Sequence, residues 1–521
     1  MNFLRLSEYP FHGAGALSAN PGSWDDQQVM AATVLRFTPP SGPYAGRDMY
    51  FLYYRGVDAL LQGKGQVAIG VMVAEVAGFT GSNWDRVRAL NPIIPPDFVA
   101  EAPVRGGDYN DMAAVLHQGQ VRLYVNIYGN PKGTNRMVRF DLADGITPTY
   151  GGEVEWQGRP FGRTGGLLVN VDEVLWMLVN QEMPDGGANR SLRFSTDGRI
   201  WQDGGPALQV SGDPDAWDGH SLVVGRGFTH GDHVYAVQPG MPRIGREKDG
   251  SPHDDWPEAI GLWRCHKADL GNGRLWQKYH RNPVMLRGPT EGGCWQLGPL
   301  IPDDPGRPVV GPYQTWAMPG WGNIGSAEMN QLRMQPYAGL RAGWSTKHQY
   351  MAVAANRLAL DDWQADPIPA GHSYMIRHAQ SGRWLKRDGA FLVLAEAGAP
   401  GAAAARFHLE RRRDFFVIRA RGPQGAELGI PGPERLRRAR FDQSADSPIT
   451  DAPRDWLLEI VDMGADMGAE YPVALITNRH SSLSLMPGRQ QDDSGDTYMV
   501  QDPALAGDAE KLFEFVRLAP G

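Results

Sequence analysis

The feature that most constrains this chain is a local plan that recurs over its first ~340 residues. An apolar run is followed by a turn, a second apolar run rich in Tyr and Val, and a segment bearing Trp. Val29–Phe37, Met49–Arg55 and Gln66–Val76 read as three strands, closed by Trp84 and Asn91-Pro92-Ile93-Ile94. Met112–His117, Val121–Tyr128 and Arg136–Leu142 repeat the plan up to Trp156. Leu167–Val171, Val174–Val179 and Ser191–Phe194 give a third unit ending at Trp201. Ser221–Val224, His233–Val237 and Ala259–Cys265 give a fourth, ending at Trp276 and Asn282-Pro283-Val284-Met285. Leu297–Ile301, Val309–Trp316 and Glu328–Met334 give a fifth. Five small sheets in series are what a β-propeller needs, because radial repetition leaves only short edges. The Trp near each unit's end reads as a wedge between blades, given its large apolar area.

The pattern changes after about Ala338. Residues 341–370, with Asp361-Asp362 and Pro367-Ile368-Pro369, read as a linker. From 371 to 521 three units open with Tyr374-Met375-Ile376-Arg377, Phe415-Phe416-Val417-Ile418 and Val473-Ala474-Leu475-Ile476. They close with Arg406-Phe407-His408-Leu409-Glu410, Trp456-Leu457-Leu458-Glu459 and Leu512-Phe513-Glu514-Phe515-Val516. Three such units predict a β-trefoil, with Phe407, Trp456 and Phe513 sharing its core. The expected fold is therefore all-β: a five-bladed β-propeller over 1–340, then a β-trefoil.

Composition narrows the function. Lys plus Arg number 51 and Asp plus Glu 59, so the net charge is −8, which argues against a general phosphate-backbone binder. The basic runs Arg411-Arg412-Arg413 and Arg435-Leu436-Arg437-Arg438 lack interleaved aromatics and read as solvated loops, so no nucleic acid partner is expected. No run approaches the ~18 apolar residues of a membrane span. The N-terminus has no apolar signal core, so the expectation is a cytoplasmic protein, or a secreted one if a leader has been removed. The two cysteines, Cys265 and Cys294, and His230, His233, His253 and His266 have no metal-ligand spacing, so no metal is expected. No phosphate loop or dinucleotide fingerprint stands out, so no cofactor is expected.

The first domain resembles the five-bladed propeller glycoside hydrolases, the arabinanase-, fructosidase- and mannoside-phosphorylase-like enzymes. The residues that carry the resemblance are Gly22-Ser23-Trp24-Asp25-Asp26, Met49 through Gly56, Val67 through Val71, and Trp84 through Ile94. Glu258 through Trp263, with Trp276 through Met285, repeats the signature in the fourth unit. Ser195-Thr196-Asp197-Gly198-Arg199-Ile200-Trp201 looks like the turn motif of sialidase-like blades. The segment from His372 resembles ricin-B-like trefoils, without the Gln-x-Trp signature of their sugar-binding members.

In a propeller, residues just before the innermost strands project toward one shared mouth. Those positions hold Asp25 and Asp26, Asp108 and Asp111, Arg163, Asp218 and His220, and Glu291. Converging acids suit glycosidic cleavage, where one carboxyl protonates the leaving oxygen and another activates water or attacks. The resemblance implies a base at Asp25 or Asp26 and a modulating, substrate-binding acid at Asp111 or Asp108. Its third-blade acid Glu is absent, since Gly162-Arg163-Thr164-Gly165-Gly166 stands there; Glu291 or Glu182 is the substitute. Arg163 suits a carboxylate on an acidic sugar or a partner acid in a buried network. His220 suits a general base or a substrate ligand. Trp24, Trp217, Trp295 and Trp321 are candidate stacking platforms for sugar faces. The leading expectation is a glycoside hydrolase or transglycosylase acting on a furanoside or other carbohydrate. Two alternatives stay open: a carbohydrate-binding propeller without catalysis, and a lyase or cyclase using Asp and His in the same pocket.

Overall fold

A computed structural model describes residues 4–5, 23–25, 28–57, 67–79, 84–98 except 88 and 97, 108–128, 135–160, 166–213 except 186, 216–242 except 224, 259–286, 291–297, 309–317 and 349–356. It further describes 363, 366–395, 405–420, 425–430, 438–442, 454–462, 471–479, 483–502 and 509–519. Among the described residues no helix is long and apolar enough to cross a membrane.

Five antiparallel sheets follow one another along the first part of the chain. The first is Gln28–Phe37, Met49–Val57 and Val67–Glu75, paired in that order. The second is Asp108–His117, Gln120–Tyr128, Arg136–Leu142 and Thr149–Glu153. The third is Leu168–Val171, Val174–Glu182, Ala188–Ser195 and Ile200–Leu208. The fourth is built on Arg226–His230, His233–Met241, Ala259–His266 and Gln277–Lys278. The fifth is Glu291–Leu297, Val309–Ala317 and Gln349–Asn356, with Leu4–Arg5 added at its edge. Each sheet touches the next, and strands of the fifth touch the first strand of the first. The ring is closed, and the N-terminal strand clasps the last sheet.

Two sequence expectations are corrected here. The third strand of the fifth sheet is Gln349–Asn356, inside the stretch read as linker, and its register with Val309–Ala317 runs without a break. Its apolar run Tyr350-Met351-Ala352-Val353 is short and weakly alternating, so spacing alone did not set it apart from a linker. The basic run at 411–413 is also not a solvated loop. Arg411 Nη2 donates to the His280 carbonyl, Arg412 pairs with Glu427 and Asp455, and Arg413 pairs with Asp213.

Inner strands are largely buried because both their faces meet neighbouring sheets. Every residue of Val67–Glu75 except the last is buried. Between the second and third sheets, Ala113, Val115, Tyr124 and Met137 meet Leu168, Leu175, Met177 and Trp201 in one cluster. Trp201 is 1% exposed and edge-on to Tyr124, so it is the inter-sheet wedge expected of it. Each such side chain contributes roughly 1.5–3 kcal/mol on burial.

The Ser195–Trp201 motif holds this wedge in place. Asp197 Oδ1 accepts from the Arg199 and Ile200 amides and from Ser195 Oγ, around Gly198 at φ +73°. These hydrogen bonds hold the Asp197 carboxyl below its ordinary range against the opposing effect of burial, the largest single influence. Tyr124 then donates to the Gly198 carbonyl and Arg122 to that of Asp197, so the turn latches onto the second sheet.

The C-terminal part forms a second closed body. Strands His372–His378, Phe407–Arg412, Phe415–Ala420, Trp456–Asp462, Val473–Asn478 and Phe513–Arg517 pair in a ring of six. Three hairpins, at 385–394, 427–442 and 484–502, cap it and pair with one another. This is the connectivity of a β-trefoil. Phe407, Trp456 and Phe513 are each 0% exposed in its one core, and they occupy equivalent strands.

Candidate functional site

Antiparallel pairing sets which residues share the mouth. The N-terminal ends of the first and third strands of each sheet lie at one end of the ring, with the C-terminal ends of the second strands. At that end Asn110 and Asp111 fall in a bulge between Tyr109 and Met112, where the ladder skips and a side chain is re-aimed. Arg190 stands near the start of the third strand of the third sheet, and Arg226 starts a strand of the fourth. Asp111 acts electrostatically on both guanidiniums, so residues of three successive sheets converge.

Both arginines are buried, at 0% and 1% exposure. Burial pulls Arg190 down to about 9 and Arg226 to about 10, and the charge of Asp111 opposes this in each case. Gln238, on the second strand of the fourth sheet, lies over Gly225 beside Arg226 and is 0% exposed. His220 sits at the same end, its amide donating to the Met241 carbonyl and its Nδ1 4.0 Å from Asp185 Oδ2. Gly187 makes room for it, because a Cβ there would come 2.3 Å from the His220 carbonyl oxygen.

The Trp-Asp pairs expected at the mouth have another task. Trp24 stacks on Tyr54 at 5.5 Å and covers Gly56 and Gly70, where a Cβ would lie 2.2 and 2.6 Å from its ring. Asp25 is 1% exposed; it accepts from Arg86 at 2.8 Å and from the Tyr54 hydroxyl at 3.1 Å. Burial, with Asp25 beside it, raises the Tyr54 phenol far above its ordinary range. The fourth sheet repeats this with Trp217 over Gly240 and Gly261, and with Lys278 2.8 Å from Asp218. Asn91 and Asn282 complete the parallel, each amide bonding both N–H and C=O of the third strand, at Val71 and Leu262.

Two expectations change accordingly. Trp217 is 0% exposed and donates from Nε1 to Asp414 of the trefoil at 2.8 Å, so it offers no face to a sugar. Asp218 is spent in the same contact with Lys278; burial raises its carboxyl above the ordinary range despite the lysine. Asp25 Oδ2 is held in an ion pair with Arg86 beneath Trp24, while its Oδ1 makes no hydrogen bond among the described residues. Asp26, Arg163 and Trp321, with the side chains of Asp108, Glu291 and Trp295, lie outside the described residues. Of the site residues named from sequence, Asp111 lies in the bulge and His220 at the same end of the ring.

Arg190, Arg226 and Gln238 escaped sequence reading. The available signal was an Arg in the otherwise ordinary strand Ala188-Asn189-Arg190-Ser191-Leu192, on the same face as the core residue Leu192. Among the described residues no group of His, Cys, Asp and Glu could hold a metal ion. Cys265 is a buried thiol pushed up to about 11 by burial and Asp269, unsuited to nucleophilic work. A groove of about 610 Å³ between Phe37 and Leu116 lies at the opposite end; its charged groups, Arg36 and Asp48, neutralise each other.

No family model and no curated protein matches this chain. Among solved structures it is similar to an exo-β-1,3-galactanase from Clostridium thermocellum, at 12% identity over 97% of this chain and 99% of that one, with a TM-score of 0.37. It is also similar to an N-acetylgalactosamine deacetylase from F. plautii, at 13% identity over 68% and 94%, with a TM-score of 0.43. The designed threefold protein ThreeFoil matches 28% of this chain and 99% of its own, at 18% identity and a TM-score of 0.22.

Proposed function

We propose that this protein is a glycoside hydrolase that cleaves a carbohydrate at the mouth of the ring. The observation that carries the reading is the placement of Asp111, Arg190 and Arg226 at the same end of three successive sheets, with both arginines buried. A carboxylate placed by a bulge at a shared mouth suits the activation of a water for glycosidic cleavage. The proton donor is assigned to Glu291, which begins the first strand of the fifth sheet at the same end. With Asp25 committed to Arg86, Asp26 is the remaining first-sheet carboxylate for a second role.

The test is product analysis over a panel of furanoside and pyranoside oligosaccharides. New reducing ends that vanish in Asp111→Asn support hydrolysis. Unsaturated ends would replace it with elimination centred on His220. Ligand bound but unchanged across the panel would make the protein a sugar-binding one.

A further inference from the structure

The interface between the third and fourth sheets changes chemistry as it approaches the mouth. Deeper in, it is apolar: Leu178 and Leu192 of the third sheet meet Val234 and Ala236 of the fourth. Strand alternation puts Asn180 on the face of Leu178, Arg190 on that of Leu192, and Gln238 on that of Ala236. Asn180 and Arg190 are also directly cross-strand, as Leu178 and Leu192 are. The last layer is therefore Asn180, Arg190 and Gln238.

This layer is incomplete. Among the described residues, no guanidinium nitrogen of Arg190 makes a hydrogen bond, nor does either amide atom of Gln238, nor Asn180 Oδ1. Arg190 and Gln238 are both 0% exposed. Burying an unpaired cation is among the costliest things a fold can do, and buried polar groups ordinarily find partners. The charge of Asp111 eases the cost for Arg190 without supplying a hydrogen bond. A partner that completes the layer would carry negative charge, accept from a planar fork and take an amide N–H.

We propose that this layer is a subsite for a singly charged oxyanion on the sugar, a carboxylate or a sulfate ester. Arg190 takes it with two parallel N–H bonds and Gln238 Nε2 adds a third. Asn180 Oδ1 accepts from a neighbouring hydroxyl. The identity of the ligand as a sugar rests on the carbohydrate reading above; the need for an anion does not.

The experiment is calorimetric binding to the full chain of D-glucuronate, D-galacturonate, galactose 6-sulfate, glucose and galactose. The acidic sugars should bind about tenfold or more tighter than the neutral ones, and Arg190→Gln should erase the difference. A uronate preference assigns a carboxylate, a sulfate preference a sulfate ester. Arg190→Gln should also melt no lower than the parent, since an uncompensated charge is gone. Equal affinity for acidic and neutral sugars, or a preference that survives Arg190→Gln, overturns the subsite. If that variant does not fold, Gln238→Leu takes its place and must weaken the preference; an unchanged preference overturns the proposal. Binding is read without turnover, so the two readings fail separately. Acid-selective binding without hydrolysis sinks the glycosidase, and hydrolysis confined to neutral sugars sinks the subsite.

Discussion

Asp25 and Arg86 form a partly buried ion pair, 2.8 Å from Oδ2 to Nη1, and Asp218 and Lys278 repeat it at 2.8 Å in the fourth sheet. The repetition assigns the pair a structural task, fastening the Trp-Asp segment across the second and third strands. Tyr54 adds a hydroxyl to Asp25, while Asp414 of the trefoil joins Lys278.

Asp25→Asn is therefore expected to cost stability first. It removes the carboxylate of a pair in which Asp25 is 1% exposed. Breaking such a pair from one side costs about 3 kcal/mol. Urea unfolding should show a lowered midpoint at unchanged slope. An unaltered midpoint with turnover abolished would return Asp25 to the chemistry.

The repeating plan was legible because inner strands buried on both faces must be largely apolar, and because Trp201 is the wedge between the second and third sheets. Strand limits such as Arg136–Leu142 and the equivalence of Phe407, Trp456 and Phe513 followed from that pattern. The site was less legible, since its residues are adjacent only in the folded ring. Asp111 could be named because it precedes an inner strand. Arg190 could not, because nothing local distinguishes a mouth-facing arginine in a strand from a solvated one. Asp25 and Asp111 look alike in sequence; one meets an arginine beneath a tryptophan, the other is turned inward by a bulge.

Asp111→Asn tests the other half of that contrast. The isostere keeps the bulge but removes the charge opposite two guanidiniums. Turnover should fall by about a hundredfold or more, within the range of acid–base groups. Sugar affinity should change much less, as judged by KM and by calorimetry. A variant with full turnover would remove Asp111 from the mechanism.

The trefoil should lose stability in mild acid. His378 is 4% exposed, with Nε2 2.9 Å from the Glu510 carbonyl and Nδ1 2.8 Å from Ser381 Oγ. These partners suit a neutral ring, Nε2–H donating and Nδ1 accepting from the hydroxyl. Burial lowers its proton affinity below the ordinary 6.5, while the Glu510 carbonyl opposes the shift. A depressed histidine favours folding above the unfolded value, and that contribution is lost as pH falls from 6.5 through the folded value. His408 is shifted the same way, chiefly by burial. Chemical denaturation between pH 7.5 and 5 should show the decline, and His378→Gln should flatten it. A slope unchanged by the substitution would assign the acid sensitivity elsewhere.

The two bodies are expected to unfold together. Phe415 and Leu457 of the trefoil belong to the same apolar cluster as Trp217, Trp263 and Trp276 of the fourth sheet. Around it, Asp414 accepts from Trp217 Nε1 at 2.8 Å and from Lys278 at 3.3 Å, and Arg281 Nη2 donates to the Leu458 carbonyl at 3.0 Å. Truncation at Pro367 would uncover that cluster and strand the Trp217 N–H and the buried Arg281 without those partners. The truncated ring should melt lower and aggregate, and not persist as a free-standing domain. A gentler probe is Asp414→Ala, which leaves Lys278 its bond to Asp218 but removes the Trp217 acceptor. Orphaning one buried donor costs about 1–3 kcal/mol, enough to split one calorimetric transition into two if this contact couples the bodies. A single transition at the parent temperature would mean that the apolar cluster alone holds them together.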